Sequence, residues 1–317
     1  MKIEYINLDD INIQDNTYIV SYPLEDEHTT ISIQKTHVQN PITIEKVNDK
    51  YVVINGIRRV TACRKLGLKQ IPAYMPGYHE DDKIKKNFLD ALFENGSHRI
   101  WNSIEKALIV KKITSEIKLD QNDFRQICSF IKIAENDYAL NILLKLSKTS
   151  DEIKSAVITG ELHINSAVLL TSFTRTERDT ILGILKSLHT NINMNKELIR
   201  FFLEIMRRDK FGTINDLLKE SGLAEIIDDQ DIQYKRKYEM ICSILKKKRY
   251  PELSKKEADF NDFKQNLLLP DKTNLFHFPF FEKQEYSIDI KFKDKHDLHE
   301  KMNKIIKGLS NIERPLS

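Results

Sequence analysis

PITIEKVNDKYVVINGIRRVTACRKLGLKQIPAYM, residues 41–75, is the stretch whose reading decides the fold. Ile42 with Ile44, and then Tyr51 to Ile54, form two β-rich runs. Val47-Asn48-Asp49-Lys50 between them is a hairpin signal. Asn55-Gly56 ends the second strand, Arg58 to Leu66 fits a helix closed by Gly67 at its C′ position, and Ile71 to Met75 reads as a further strand. A strand that ends in Asn-Gly and feeds directly into a helix beginning Ile-Arg-Arg brings free backbone N–H groups, the positive end of a helix dipole and two guanidinium groups to one point. That point suits a phosphate, because the planar fork of arginine can donate two hydrogen bonds to one anion. Pairing of Arg58 and Arg59 with Glu or Asp side chains would satisfy the same residues.

Downstream, Leu89, Leu92 and Phe93 ride on a helix running into Glu94-Asn95-Gly96, where the glycine predicts a stop. Beyond about residue 100 the pattern is helical. Asn102 with Glu105, Thr149 with Glu152 and Thr174 with Glu177 have capping-box spacing. Apolar faces recur at Ile181, Ile184, Leu185 and Leu188, at Leu198, Phe201, Phe202 and Ile205, and at Tyr238, Ile241, Cys242 and Leu245. Pro251 to Pro279, proline-bounded and weakly periodic, reads as a linker or irregular segment. Tyr286, Ile288, Ile290 and Phe292 then alternate with polar residues, and Leu298, Met302, Ile305, Ile306 and Leu309 follow at helical spacing. Such a strand needs a partner. Either an identical strand of a second copy or residues 274–281 of the same chain would serve.

The 317 residues suit two or three domains. The expected divisions are an α+β domain over 1–100, helical regions over 101–175 and 176–250, and a linker with a small strand–helix unit over 251–317. With 50 Lys+Arg against 47 Asp+Glu the net charge is +3, so nucleic-acid affinity has to come from local patches. Nine glycines argue against glycine-rich nucleotide folds and turn-dense all-β designs. Cys63, Cys128 and Cys242, odd in number and far apart, form neither a disulfide framework nor a zinc site and point to a reducing, cytoplasmic compartment. No apolar run approaches a membrane span, and MKIEYINLDD lacks a signal segment, so no membrane partner is expected.

The segment resembles the N-terminal domain of the ParB family of plasmid and chromosome partition proteins, within the wider ParB/sulfiredoxin fold. Three pieces match in order. Ser32-Ile33 through Val38-Gln39-Asn40-Pro41-Ile42 is similar to the family's first box, and Asn55-Gly56-Ile57-Arg58-Arg59 with Ala62 to its G-E-R-R-x-x-A box. Glu94-Asn95 with Arg99, then Ile104-Glu105-Lys106-Ala107, is similar to E-N-x-x-R and the following I-E-x-A. The resemblance covers about residues 1 to 170. It implies a pocket for CTP with Mg²⁺ that closes a dimeric clamp on DNA. In it Gly56, Arg58 and Arg59 would cradle phosphates, Gln39 and Pro41 would border the base, Ala62 and Arg99 would complete the pocket, and Glu94 with Asn95 would hold the metal. Ile57 stands where the family has Glu, and His37 where it has Gly. A hydrocarbon cannot act as general base, so binding is expected with at most weak hydrolysis, and no catalytic residue is assigned. Sulfiredoxin chemistry is excluded, because it needs a thiolate at the position of Ile57. The alternative is a nucleotide-dependent kinase or phosphatase of a small molecule on the same fold.

The resemblance also implies a helix-turn-helix. Asn122 to Ile127 would be its first helix, Phe130 to Ala134 the turn and Asn136 to Leu146 the recognition helix. Asn136, Tyr138, Asn141 and Lys145 are the candidate DNA-reading side chains. The acidic Glu135 and Asp137 beside them leave open that the helix is simply core. Ser150-Asp151-Glu152-Ile153 through Gly160 matches a further family helix. Lys246-Lys247-Lys248-Arg249 is the densest basic run; it reads either as a non-specific DNA contact or as cations complementing a helix C-terminus. His79, His98, His163, His277 and His296 show no metal spacing, and Trp101 reads as packing. The partners implied are DNA, a ParA-type ATPase and a second copy of the chain, in a nucleoid-associated partition role.

Overall fold

The structure, a computed structural model, describes residues 2–77, 83–283 and 285–310. His79 and the side chain of His98 fall outside the described residues. Two compact units are formed, one by residues 1–174 with 191–196 and one by 175–190 with 197–317.

The first unit opens with β1 (Glu4–Asn7), α1 (Glu27–Thr36), β2 (Ile42–Val47), β3 (Lys50–Asn55), α2 (Ile57–Lys65) and β4 (Gln70–Tyr74). The strands make one mixed sheet in the order β1-β4-β2-β3, with β2 parallel to β4 and the other pairs antiparallel. Val47 pairs with Lys50 across a two-residue turn, and Asn48 takes the left-handed conformation (φ 53°) that asparagine tolerates. The strand–helix–strand order is as the sequence implies. α2 ends in a Schellman motif: Leu68 N–H donates to Cys63 O at 3.0 Å, Gly67 N–H to Arg64 O at 3.0 Å, and Gly67 has φ 70°. Ile42, Ile44, Val60, Cys63 and Ile71 are fully buried between sheet and helix, and Ile57 and Ile33 join them. α1 was not legible, because of its ten residues only Ile33 is buried.

Helices follow: α3 (Lys83–His98), α4 (Ser103–Ser115), α5 (Gln121–Phe130), α6 (Asp137–Ser147), α7 (Asp151–Ile158) and α8 (Ile164–Leu170). α4 starts with the expected capping box of Asn102 and Glu105. The cap at Thr149 is displaced: Ser150 is the N-cap of α7, and the Thr149 hydroxyl donates to Leu146 O at 2.7 Å instead. Gly96 does not stop α3, which runs on to His98. A Cβ at Gly96 would lie 2.3 Å from the Phe130 ring, so the glycine is a notch that lets α3 and α5 approach, beside the edge-to-face pair Phe93–Phe130 at 4.8 Å.

The second unit comprises α9 (Arg175–Ser187), α10 (Ile192–Asp209) from Glu197 onward, α11 (Ile214–Glu220), α12 (Leu223–Asp228), α13 (Tyr234–Arg249), α14 (Pro251–Asn266), β5 (Thr273–His277), β6 (Tyr286–Ile290) and α15 (Lys295–Ser310). The apolar faces named above on α9 and α10 are buried, as are Ile241 and Leu245 on α13. Residues 251–279 correct the expectation of a linker. Pro251 occupies the first helical position, where its missing N–H costs nothing, and α14 follows. Its pattern is weak because Phe260 is its one buried residue. Phe260 stacks on Tyr286 at 5.8 Å and meets His277 edge-on at 4.6 Å, fixing the helix to the small sheet. β6 pairs antiparallel with β5 of the same chain, Thr273 opposite Ile290 and His277 opposite Tyr286, so its backbone groups find their partner without a second copy.

Gly96→Ala is expected to destabilise the protein by about 1 kcal/mol in denaturant unfolding, because overlap with the Phe130 ring outweighs the roughly 1 kcal/mol that alanine gains in a helix. A stabilised variant would return Gly96 to the role of a helix end.

Candidate anion-binding cleft

A cleft of about 440 Å³ opens where β3 passes into α2. α1 supplies His28, Thr29, Ser32 and Ile33 to its wall, the following loop His37 to Asn40, and the strand–helix junction Asn55 to Arg59; Ser21, Asp26, Asn95 and Arg99 complete it. Gly56 is the N-cap of α2, with φ 102°, and no side chain caps the helix. An added Cβ would lie 2.7 Å from Ile42 Cγ2 and 2.8 Å from Arg59 Nη2. Position 56 therefore excludes side chains twice over, by conformation and by space, and leaves backbone N–H groups facing the cleft.

Three guanidinium groups surround this point. Arg59 Nη1 donates to the carbonyls of Asn40 (2.5 Å) and Pro41 (2.8 Å), tying the α1–β2 loop to α2. Arg58 donates to Pro23 O at 3.0 Å, Tyr22 O at 3.1 Å and Glu105 Oε1 at 3.0 Å. Arg99 donates to the same Glu105 oxygen at 2.7 Å and to Ser21 Oγ at 3.2 Å, and stacks 4.5 Å over Trp101. Burial pushes Arg59 and Arg99 below the ordinary arginine value, Glu105 opposing the shift for Arg99; both stay charged. Glu105 has a side chain only 2% exposed and also accepts from Asn102 N at 3.1 Å and Tyr22 N at 3.3 Å. Burial works to raise the Asp26 carboxyl, but the hydroxyl and backbone N–H of Thr29, with Arg58, carry it below the usual carboxylate value. Three guanidiniums face the carboxylates of Asp26 and Glu105, and Glu94 also acts on Arg59.

Of the residues singled out from sequence, Gln39, Gly56, Arg58, Arg59, Asn95 and Arg99 line the cleft together. Pro41 contributes its carbonyl to Arg59, and Ala62 is buried in the sheet–helix core instead. Glu94 accepts from Asn55 Nδ2 at 2.7 Å, and Asn95 Nδ2 donates to Asn55 Oδ1 at 3.0 Å, so Asn55 joins the two candidate metal ligands. Among the described residues no group of three or more His, Cys, Asp or Glu side chains could hold a metal ion. Ile57 is 4% exposed and belongs to the core, so no general base stands at that position. Burial raises the Cys63 thiol and keeps it unreactive; Cys128 is raised in the same way, and Cys242, half-buried, is pushed up to about 11. Sequence reasoning missed Ser21, Asp26, His28 and Asn55 as cleft residues and saw Glu105 as a capping partner and a member of the I-E-x-A box, not as the partner of Arg58 and Arg99.

In the candidate DNA-reading element, α5 and α6 flank residues 131–136. Tyr138, Asn141 and Lys145 lie exposed at helical spacing on α6, Tyr138 at 74%. Asn136 is the N-cap of α6, its Oδ1 accepting from Ala139 N at 2.8 Å, which uses one of that oxygen's two lone pairs. Glu135 pairs with Arg125 at 3.6 Å. The basic run closes α13. Lys246 pairs with Glu257 at 3.3 Å, Lys248 sits 5.1 Å over Phe211, Arg249 pairs with Glu204 and stacks on Tyr250, and Lys247 is exposed. Arg208 donates to the carbonyls of Lys248 and Arg249, so most of this run is bound into its own unit.

A mixed sheet and an arginine-lined, glycine-capped helix start make up the cleft-bearing α+β domain. Residues 2–95 match the ParB N-terminal domain. It is 24% identical over 159 residues to a probable chromosome-partitioning protein ParB of Coxiella burnetii, covering 49% of this chain and 52% of that one. The chain thus spans about half the length of such relatives. A nucleoid occlusion protein of Bacillus thuringiensis is 24% identical over 260 residues, covering 75% of this chain and 86% of that one. Among solved structures, C-terminally truncated ParB of Caulobacter crescentus complexed with CTP-gamma-S is similar with a TM-score of 0.27 and 21% identity, over 54% of this chain and 93% of that one.

Glu105→Ala is expected to cost about 3 kcal/mol of stability, because it leaves Arg58 and Arg99 partly buried without their shared carboxylate and removes half of the α4 capping box. Denaturant unfolding of the two proteins measures the difference; a loss below about 1 kcal/mol would show the carboxylate to be dispensable.

Proposed function

We propose that the chain is a ParB-type DNA-binding protein whose N-terminal cleft takes CTP with Mg²⁺. The observation that carries this reading is the junction at Gly56, where an uncapped helix start and Arg58, Arg59 and Arg99 share one cleft. Phosphates would lie along Gly56, Arg58 and Arg59, and Gln39 with the neighbouring loop would border the base, as the family resemblance implies. Mg²⁺ is bound by few protein oxygens and several from phosphate, so Glu94 and Asn95 would suffice as its protein ligands. The apolar Ile57 supports binding over hydrolysis and counts against a kinase or phosphatase.

DNA would be contacted through Tyr138, Asn141 and Lys145 of α6, with Lys246, Lys247, Lys248 and Arg249 adding at most a non-specific share. Relatives named for chromosome partition and for nucleoid occlusion support a role in one of these processes. The 260-residue match to the nucleoid occlusion protein, the longer of the two, favours the second as an alternative to partition. A homodimer would form through the exposed stripe Met302, Ile306 and Leu309 of α15, because β6 already has its partner strand; a ParA-type ATPase is the partner that the partition reading carries.

CTP with Mg²⁺ at a hundred times its dissociation constant is expected to stabilise the protein by about 2.7 kcal/mol in thermal unfolding, and Arg59→Ala to abolish most of that shift. No shift with CTP, ATP or GTP would overturn the nucleotide reading. DNA affinity is expected to fall steeply between 50 and 200 mM salt, and Lys145→Ala to flatten the log–log slope by about 1. An unchanged slope would remove α6 from the interface.

A further inference from the structure

We infer that His37 is a specificity-determining residue of the cleft, its imidazole contacting the nucleobase end of a bound nucleoside triphosphate; this rests on the nucleotide reading of the cleft. His37 has φ 60° and ψ −176°. That region of backbone space is open to glycine and costly for any residue with a Cβ. The fold itself has no use for a side chain there. α1 is terminated at this position by the His37 N–H, which donates to Ile33 O at 2.9 Å, and a glycine would make the same bond. The imidazole is exposed and lines the cleft, so no packing in the core repays the strain. Nor can the loop relax, because Arg59 holds it by the carbonyls of Asn40 and Pro41.

The position along the cleft assigns the contact. α1, ten residues and roughly 15 Å long, runs along the wall from Asp26 to His37. Asp26 lies at the end held by Arg58, whose guanidinium reaches Tyr22 O and Pro23 O and shares Glu105 with Arg99. At the other end His37 is followed by Gln39 and Asn40, uncharged side chains that can donate and accept hydrogen bonds as a base edge requires; the one cation here, Arg59, is engaged through Nη1 by the backbone carbonyls of Asn40 and Pro41. An imidazole adds both a hydrogen-bonding edge and a flat face for stacking.

His37→Gly separates the two effects of the residue. Calorimetric titration of the full chain with CTP, ATP, GTP and inorganic triphosphate, each with Mg²⁺, is the test, alongside thermal unfolding of the unliganded proteins. The expected result is a variant with a higher unfolding temperature, an affinity for the preferred nucleoside triphosphate lowered about tenfold, as for one lost hydrogen bond, and unchanged affinity for inorganic triphosphate. His37→Gln, which keeps a hydrogen-bonding side chain, is expected to retain part of the base preference. Equal nucleotide affinity in wild type and His37→Gly would overturn the inference while leaving the cleft a nucleotide site, and so would an equal loss for inorganic triphosphate. A wild type that binds none of the three nucleotides would overturn the nucleotide reading, and this inference with it.

Discussion

A buried carboxylate shared by two guanidiniums is the interaction on which the rest of the first unit depends. Glu105 receives Arg58 from the start of α2 and Arg99 from the segment after α3, and it closes the capping box of its own helix. A charge so far removed from water persists only when it is fully paired and hydrogen-bonded, and here four donors converge on it. The sheet domain and the helices after residue 100 are therefore joined by a bond whose strength depends on how many cations remain with the acid. Any anion entering the cleft competes for those same arginines. The cleft and the start of α4 share one electrostatic account, with no moving part beyond two side chains.

The second constraint is steric. Gly56 lets the backbone of β3 turn into α2 with Ile42 and the Arg59 guanidinium in contact on either side. This packs Ile57 inward, so the residue that a hydrolytic member of the fold would use to activate water is here part of the hydrophobic core. The same turn that exposes backbone N–H groups thus withholds a base. A cleft built in this way presents donors to an anion and has a hydrocarbon at position 57.

Legibility followed locality. The hairpin at Asn48, the C′ glycine at position 67 and the Asn102–Glu105 box were readable because each is settled by residues within one or two turns of each other. α1 and α14 escaped because a surface helix with one buried residue leaves almost no periodic signal. Gly96 was misjudged because its reason, the ring of Phe130, lies 34 positions on and on another helix. In the cleft, the glycine and arginines were legible from residue type and order. Asp26, Ser21 and the second role of Glu105 were not, since Arg58 and Glu105 are 47 residues apart and only the fold brings them together. The backbone of His37 was signalled only by the resemblance, which puts a glycine at this position; the histidine itself gives no hint of such a conformation.

The three cysteines have a consequence for observing this molecule. Cys63 lies beneath the sheet, Cys128 on α5 and Cys242 on α13 in the second unit, and burial raises each thiol. A thiol reacts as thiolate and only when reagent can reach it, so Cys63 and Cys128 are silent until their surroundings open, while the half-buried Cys242 is slowed by its raised thiol. The chain therefore carries two built-in chemical clocks, one in the sheet domain and one in the helices that follow it. Their separate labelling rates would time the opening of each region without any added probe.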